Sequence, residues 1–479
     1  MLAPRHAAIR SLFQNISLAV LLNLLIKTAW ILTNNVVQDR VGHTAFGLYL
    51  ALYSFGFLFL ALADMGVNQY TTKTLAAQPD LLRKLFPSLV TLKSVLSLIY
   101  PFFMIGAGWL VGYRGQELYL LFILCVVHGI LQMIFFFRAN LQAFQHFRQD
   151  AVASVLDRIV MLGIVLALLA TDIDVEEYIL AYLASAVVAL AVISVFVMRL
   201  FGWIRPEWNA ASMRGLLKLS FPFALITILY SINDKVDQVL IERIIGGDAG
   251  KHETGLYGGA YRWVDTVMMY LWTVLPIFFA KFAHHVGDQA ALRRLLAFGQ
   301  PIAALPMLFA GAFGLIYPEK LLFQFVNSSP QDLATMIACL RILFIAVAVN
   351  GIFAIYSTLL TSTNHERFVS RMIAVSIVMN VTLNCIFIPV YGAVASALNT
   401  VLSFSLLSLS YVWYIHFKME MAFPWRVLLR LVAVAGAFGG AFLGLSRTGM
   451  EWWLVSGLSG LILLGMAYFA GLLSFKNAD

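Results

Sequence analysis

Charge is scarce in this sequence. Asp, Glu, Lys and Arg make up 12% of its 479 residues, against about 25% in an ordinary soluble protein. So few charges cannot cover a water-facing surface on a chain of this size, while the apolar set reaches 61%. The apolar side chains therefore face lipid, and a soluble catalytic domain is excluded. Cysteine is nearly absent too. Cys125, Cys339 and Cys385 all fall inside apolar runs, without CxxC or Cys/His spacing. That argues against a disulfide framework and a zinc site and leaves buried, inert thiols as the expectation. No GxxxxGK[ST] loop occurs, so direct drive by ATP is not expected. His128 stands alone, and His284 and His285 lie in a basic loop. Neither has a nucleophile or metal partnership, and no cofactor is implied. The net charge of +8 is scattered rather than gathered in a stripe with interleaved aromatics, which argues against nucleic acid as a partner. A cleavable signal peptide is not indicated either. The first apolar run is about 25 residues long, contains Lys27, and leads into Asn34-Asn35 rather than a small-residue cleavage site.

What is present is a succession of long apolar runs. A hydrocarbon core about 30 Å thick takes roughly 20 helical residues at 1.5 Å rise. Runs of that length predict spans at 12–37, 44–63, 86–111, 117–138, 152–171, 177–198 and 219–241. Further spans are predicted at 257–280, 295–316, 334–360, 368–388, 391–415, 427–446 and 452–474. The runs are far longer than the ~10 residues of a barrel strand and do not alternate. The expected fold is an all-α polytopic membrane protein with about 14 transmembrane helices.

Loop charge orients it. With a cytoplasmic N-terminus, the outer segments hold only Arg40, Arg114, Arg243, Lys251, Lys320 and Arg447, whereas most of the 32 Lys and Arg fall in cytoplasmic segments. Both termini are then cytoplasmic.

The chain also repeats itself. Gly47-Leu48-Tyr49, followed by Tyr53, precedes or enters the second span, and Gly255-Leu256-Tyr257, followed by Tyr261, stands at the eighth. Each follows the first span of a six-span set. Units with an even number of spans enter and leave on one side, so they are parallel repeats about the membrane normal, with a substrate cavity expected between them. The expected organisation is a six-helix lobe at 1–205, a second at 206–418, and two additional helices at 419–479.

Three segments carry a family resemblance. The first is Asp39-Arg40-Val41-Gly42 with Phe46-Gly47-Leu48-Tyr49, continuing to Ala63-Asp64-Met65-Gly66-Val67-Asn68. The second is Gly255-Leu256-Tyr257 with Ala260-Tyr261-Arg262, followed by Leu275-Pro276. The third is Asn380 and Asn384 leading into Ile388-Pro389-Val390-Tyr391-Gly392-Ala393-Val394-Ala395-Ser396-Ala397. Together they resemble the Wzx-like polysaccharide flippases of the multidrug/oligosaccharidyl-lipid/polysaccharide exporter superfamily. The resemblance implies a flippase for a polyprenyl-pyrophosphate-linked oligosaccharide in a bacterial plasma membrane, working by ion-coupled alternating access. It also implies as partners the lipid-linked substrate, membrane lipids, and the glycosyltransferases and polymerase of the same pathway. A lipid II flippase ranks second, because the Arg-rich N-terminal pattern and acidic-aromatic second span of that group are not evident here. A cation-coupled multidrug exporter ranks third. A membrane glycosyltransferase or polymerase would need a large outer loop with catalytic side chains, and the longest expected outer loops, 242–256 and 317–333, are short.

Charges inside the spans are the candidate site, because each costs about 3 kcal/mol or more at mid-membrane without a partner or water. The cations Lys27, Lys93, Arg158, Arg262 and Arg341 are candidates for binding pyrophosphate. Lys27, near the middle of the first span, is the leading one, with a structural ion pair as the alternative. For Lys93 and Arg158 the alternative is snorkelling to the headgroups. Asp157 and Arg158 point about 100° apart and are not expected to pair. Asp234 and Asp237 share one helix face, as do Arg262 and Asp265. With Lys235 and Asp64 they are candidates for a gate or for ion coupling, against a purely structural ion-pair cluster. Arg341 can join either group.

Overall fold

Excluding water from an apolar run forces its backbone N–H and C=O groups to bond within the segment. Accordingly, every regular element among the described residues is a helix. The computed structural model describes residues 25–26, 28–73, 79–144, 146–202, 206–419, 421 and 423–473. Among them eleven helices are long and apolar enough to cross a membrane, or twelve if the two parts of the helix containing Pro222 form one span. The first expected span lies largely outside the described residues. The second is broken into short pieces, so neither is counted.

Contacts divide the chain between Val239 and Leu240. The first unit contains α1 (residues 28–41), α2 (His43–Leu58), α3 (Ala61–Asp64), α4 (Val67–Lys73), α5 (Pro79–Val111), α6 (Gln116–Ala143), α7 (Phe147–Ala153), α8 (Leu156–Leu168) and α9 (Val175–Phe201). It also holds most of α10 (Ala210–Ile245). The expected boundary at 205/206 follows the internal repeat. The packing boundary falls inside α10, because that helix runs without interruption past it.

The break in the second span has a local cause. Met65 and Gly66 take left-handed backbone angles, φ 49° and 75°, ending α3 and starting α4. A Cβ on Gly66 would lie 2.3 Å from the Ser220 carbonyl oxygen and 2.6 Å from the Ala224 nitrogen, so α10 packs its backbone directly on the break. Only glycine satisfies both demands. At the outer end expected from charge, α9 opens with a capping box. The Asp174 carboxylate accepts from the Glu177 N–H at 2.7 Å, and Glu177 accepts from the Asp174 N–H at 3.3 Å. Asp174 and Glu177 of this acidic stretch therefore have a structural role.

The second unit contains α11 (Gly247–His284), α12 (Gln289–Ile316), α13 (Pro318–Leu321), α14 (Pro330–Ser362), α15 (Glu366–Tyr391), α16 (Ala393–Phe417), α17 (Trp425–Ser446) and α18 (Trp452–Phe469). The expected outer loop 242–256 is corrected here. Only Gly246 separates α10 from α11, and Asp248, Lys251, His252 and Glu253 are helical. Hydropathy reads such polar residues as loop, but they continue the helix and make contacts. His252 meets Asp332 of α14 at 2.8 Å, and the Glu253 carboxylate accepts from the Ala393 N–H at 2.9 Å, capping α16. The α17–α18 pair is part of this unit. It docks on α12 through an aromatic seam, with Phe309 6.3 Å from Phe438 and 6.1 Å from Phe442, and Phe313 6.3 Å from Trp452. One thiol departs from expectation: Cys125 and Cys339 are buried, whereas Cys385 is exposed.

Candidate functional site in the first unit

Two tyrosine pairs at helical i, i+4 spacing meet in the first unit. Tyr49 and Tyr53 come from α2, Tyr178 and Tyr182 from α9. Tyr49 stands edge-on to Tyr178 at 5.1 Å, and Tyr53 stacks near Tyr182 at 6.5 Å. Trp30 of α1 lies 6.3 Å from Tyr182. The Tyr178 hydroxyl donates to Asn34 on α1, which ties α9 to α1. His128 of α6 packs edge-on to Tyr53 at 4.7 Å. Its ring is buried, and neither nitrogen has a hydrogen-bond partner among the described residues. α10 is anchored beside this cluster by Ser54, whose hydroxyl donates to the Gln238 carbonyl oxygen. Lys235, one turn before Gln238, thereby comes within electrostatic reach of Tyr53.

Arg158 joins the same group. It lies within electrostatic range of Tyr53 and, with Asp157, of Tyr182. It is half-buried and makes no hydrogen bond or ion pair among the described residues, with Asp157 or otherwise. Arg158 lies in the first turn of α8, separated from α7 by Ser154 and Val155, and both helices contribute to one candidate span, Gln149–Leu168. It stands nine residues from the start of that 20-residue span and ten from its end. That depth is near the middle of a core about 30 Å thick, out of easy reach of the headgroups. A half-buried guanidinium can hold an anionic group bidentately, and the tyrosine rings of the same cluster can take an apolar ring face.

Lys93 behaves differently. Its side chain is 0% exposed and its ammonium meets the Asp64 carboxylate at 2.6 Å and the Ala63 carbonyl at 3.2 Å. Asp64 also accepts from the Asn68 N–H at 3.3 Å, and the Asn68 amide donates to Gln132 of α6 at 3.1 Å. Snorkelling is excluded by that burial. A candidate binding cation and a candidate gate acid are thus one buried pair at the end of α3.

The other candidates are placed as follows. Lys27 lies outside the described residues. Lys235 meets Asp234 at 3.3 Å, and Asp237 is buried one turn on. Arg262 and Asp265 are both half-buried on α11, in the second unit. Arg341 reaches Glu319 at 3.4 Å, with side chains 48% and 50% exposed. Its surroundings are a surface ion pair rather than an enclosed site. Sequence reasoning noted Tyr49 and Tyr53 only as part of a repeat and passed over Tyr178 and Tyr182. The available signal was the repeated Tyr-x-x-x-Tyr spacing, which also gives the Tyr257–Tyr261 stack at 5.5 Å in the second unit.

Comparison with known proteins gives a consistent fold. Residues 12–280, more than half of the chain, match the family described as polysaccharide biosynthesis protein. A solved lipid II flippase, MurJ, in an inward closed conformation is 15% identical with a TM-score of 0.75, over 94% of this chain and 99% of that one. An inward-facing multidrug resistance MATE family transporter of the MOP superfamily is 15% identical with a TM-score of 0.66, over 85% and 95%. A MOP superfamily transporter from Pyrococcus furiosus, whose binding pocket is described as having reverse polarity, is 14% identical with a TM-score of 0.59, over 85% and 95%. At these identities the likeness is one of fold. No curated protein matches in sequence.

Proposed function

This chain belongs to the polysaccharide biosynthesis protein family, and from that premise we propose that it is a secondary-active flippase for a polyprenyl-pyrophosphate-linked oligosaccharide. It moves this substrate from the inner to the outer leaflet of a bacterial plasma membrane, with both termini cytoplasmic. The observation that carries the reading is Arg158, half-buried near the middle of its candidate span and within electrostatic range of Tyr53 and Tyr182. The guanidinium suits pyrophosphate oxygens, and the tyrosine faces suit sugar rings. A cationic drug would be served better by acids and open aromatic faces.

Alternating access requires an element that can switch. The broken α2–α3–α4 segment supplies one candidate, and the Lys93–Asp64 pair sits at its break. Protonation of Asp64, or binding of a cation there, removes the charge that holds Lys93. That couples an ion to the break without ATP. The substrate would be delivered by glycosyltransferases and consumed by a polymerase of the same pathway.

The test is Arg158→Ala in cells that depend on this chain for surface polysaccharide. Losing charge-assisted hydrogen bonds worth about 1.5–3 kcal/mol lowers transport roughly 10- to 100-fold, at unchanged amounts of folded protein in the membrane. Arg158→Lys retains part of the activity. Normal polysaccharide in the Ala variant would sink the assignment. Lys27→Ala applies the same test to the first span.

A second reading, transport of lipid II, is favoured by the fold likeness to MurJ over 94% of the chain. Restored growth of cells depleted of their lipid II flippase would select it over the oligosaccharide reading.

A further inference from the structure

We propose that the second unit holds a binding site for an anionic membrane phospholipid, formed by the start of α12 and the face of α17. The cavity there has a volume of about 900 Å³. Arg293 and Arg294 line it from the first turns of α12, and Arg426 and Arg430 line it from one face of α17, four residues apart. All four side chains are exposed, and none makes an ion pair among the described residues. Phe423 and Trp425, 4.7 Å apart, complete the wall. The Gln289 amide donates to the Met419 carbonyl at 3.2 Å and holds the connecting segment against α12.

Four guanidinium groups line one cavity, and no acid is among its described lining residues. A phosphodiester matches it, because each Arg offers paired donors to its oxygens. Basic pockets between spans capture lipid headgroups in this manner. A second feature identifies the ligand as a lipid rather than a free anion. Arg430 also borders an apolar groove of about 560 Å³ between α17 and α18. Ala433, Val434 and Ala437 line it at helical spacing from one side, and Ile462, Gly465, Met466 and Phe469 from the other. The small side chains leave room for a hydrocarbon chain, and Arg430 borders both the cationic cavity and this groove. Loop charge puts this end of the helices in the cytoplasmic leaflet, and Trp425 suits the interface there. The site stands in the second unit and does not use Arg158 or its tyrosines.

The experiment uses the full-length chain, purified in detergent with equimolar phosphatidylglycerol and phosphatidylcholine and read by native mass spectrometry. Phosphatidylglycerol is expected to be retained in preference. Arg293→Gln with Arg426→Gln lowers its retention roughly thirtyfold, while Lys at both positions preserves most of it. Ala437→Trp fills the exposed groove without changing charge and also lowers retention, which keeps the test sound if the double variant fails to fold. Equal retention of the two lipids, or retention unchanged in both variants, overturns the proposal. So does displacement by inorganic phosphate, which marks a free-anion site. Displacement by undecaprenyl phosphate overturns it as well, assigning the groove to a polyprenyl ligand.

Discussion

A cation within a bilayer needs either a partner or water, and Lys93 and Arg158 have met that need differently. Lys93 is enclosed against Asp64 and the Ala63 carbonyl, whereas Arg158 is half-buried with no direct partner among the described residues. In the sequence both are cations a few residues into an apolar run. Their difference depends on α3 crossing α5, a contact between residues far apart in the chain. It has measurable consequences. Removing one member of a buried pair strands the other charge, so Lys93→Met is expected to cost about 3–5 kcal/mol. Combining it with Asp64→Leu returns stability near that of the parent, because both charges and their desolvation disappear. Thermal unfolding in detergent measures both. If the pair couples an ion to transport, the double variant folds but does not flip substrate. Full activity in that variant would make the pair structural only.

At the level of helices, two of the family-like segments turn out to be packing devices. Asp64-Met65-Gly66 is the place where a span breaks and another helix backbone lies against it. Replacing Gly66 with Ala strains a left-handed residue and drives a Cβ into the Ser220 carbonyl. The expected loss is about 3 kcal/mol, seen as a lower unfolding temperature and less protein in the membrane. A Gly66→Ala variant of parental stability would show that α10 does not press on the break. The Asn380–Asn384 segment knits α15 to α16. The Asn384 carbonyl oxygen accepts from Ser396 and Asn399, both at 2.9 Å, and its amide donates to Asn380 at 2.9 Å. Gly392, φ 57°, lets Glu253 reach the start of α16. The motif was legible from residue spacing; that its amides and hydroxyl bond to one another was not.

For the whole molecule, membrane orientation is the open consequence of loop charge. In a Cys385→Ser background Cys125 and Cys339 stay buried and silent. Asp172→Cys, in the exposed turn before α9, is expected to react with a membrane-impermeant maleimide in intact cells. Val286→Cys, in the turn after α11, is expected to react only after permeabilisation. The opposite pattern inverts the topology. Composition and run length alone established a multi-pass helical membrane protein and placed most of its long helices. They succeed because lipid solvation acts on each residue and sums locally along the chain. The same local sum misread 242–256 as a loop, because polar residues can extend a helix when side chains beyond the run receive them. Packing in three dimensions settled which charges pair, where the tyrosines of α2 and α9 converge, and where four arginines share one cavity. Each of these rests on contacts between distant segments, and no periodicity along the chain encodes which distant segment a helix face will meet.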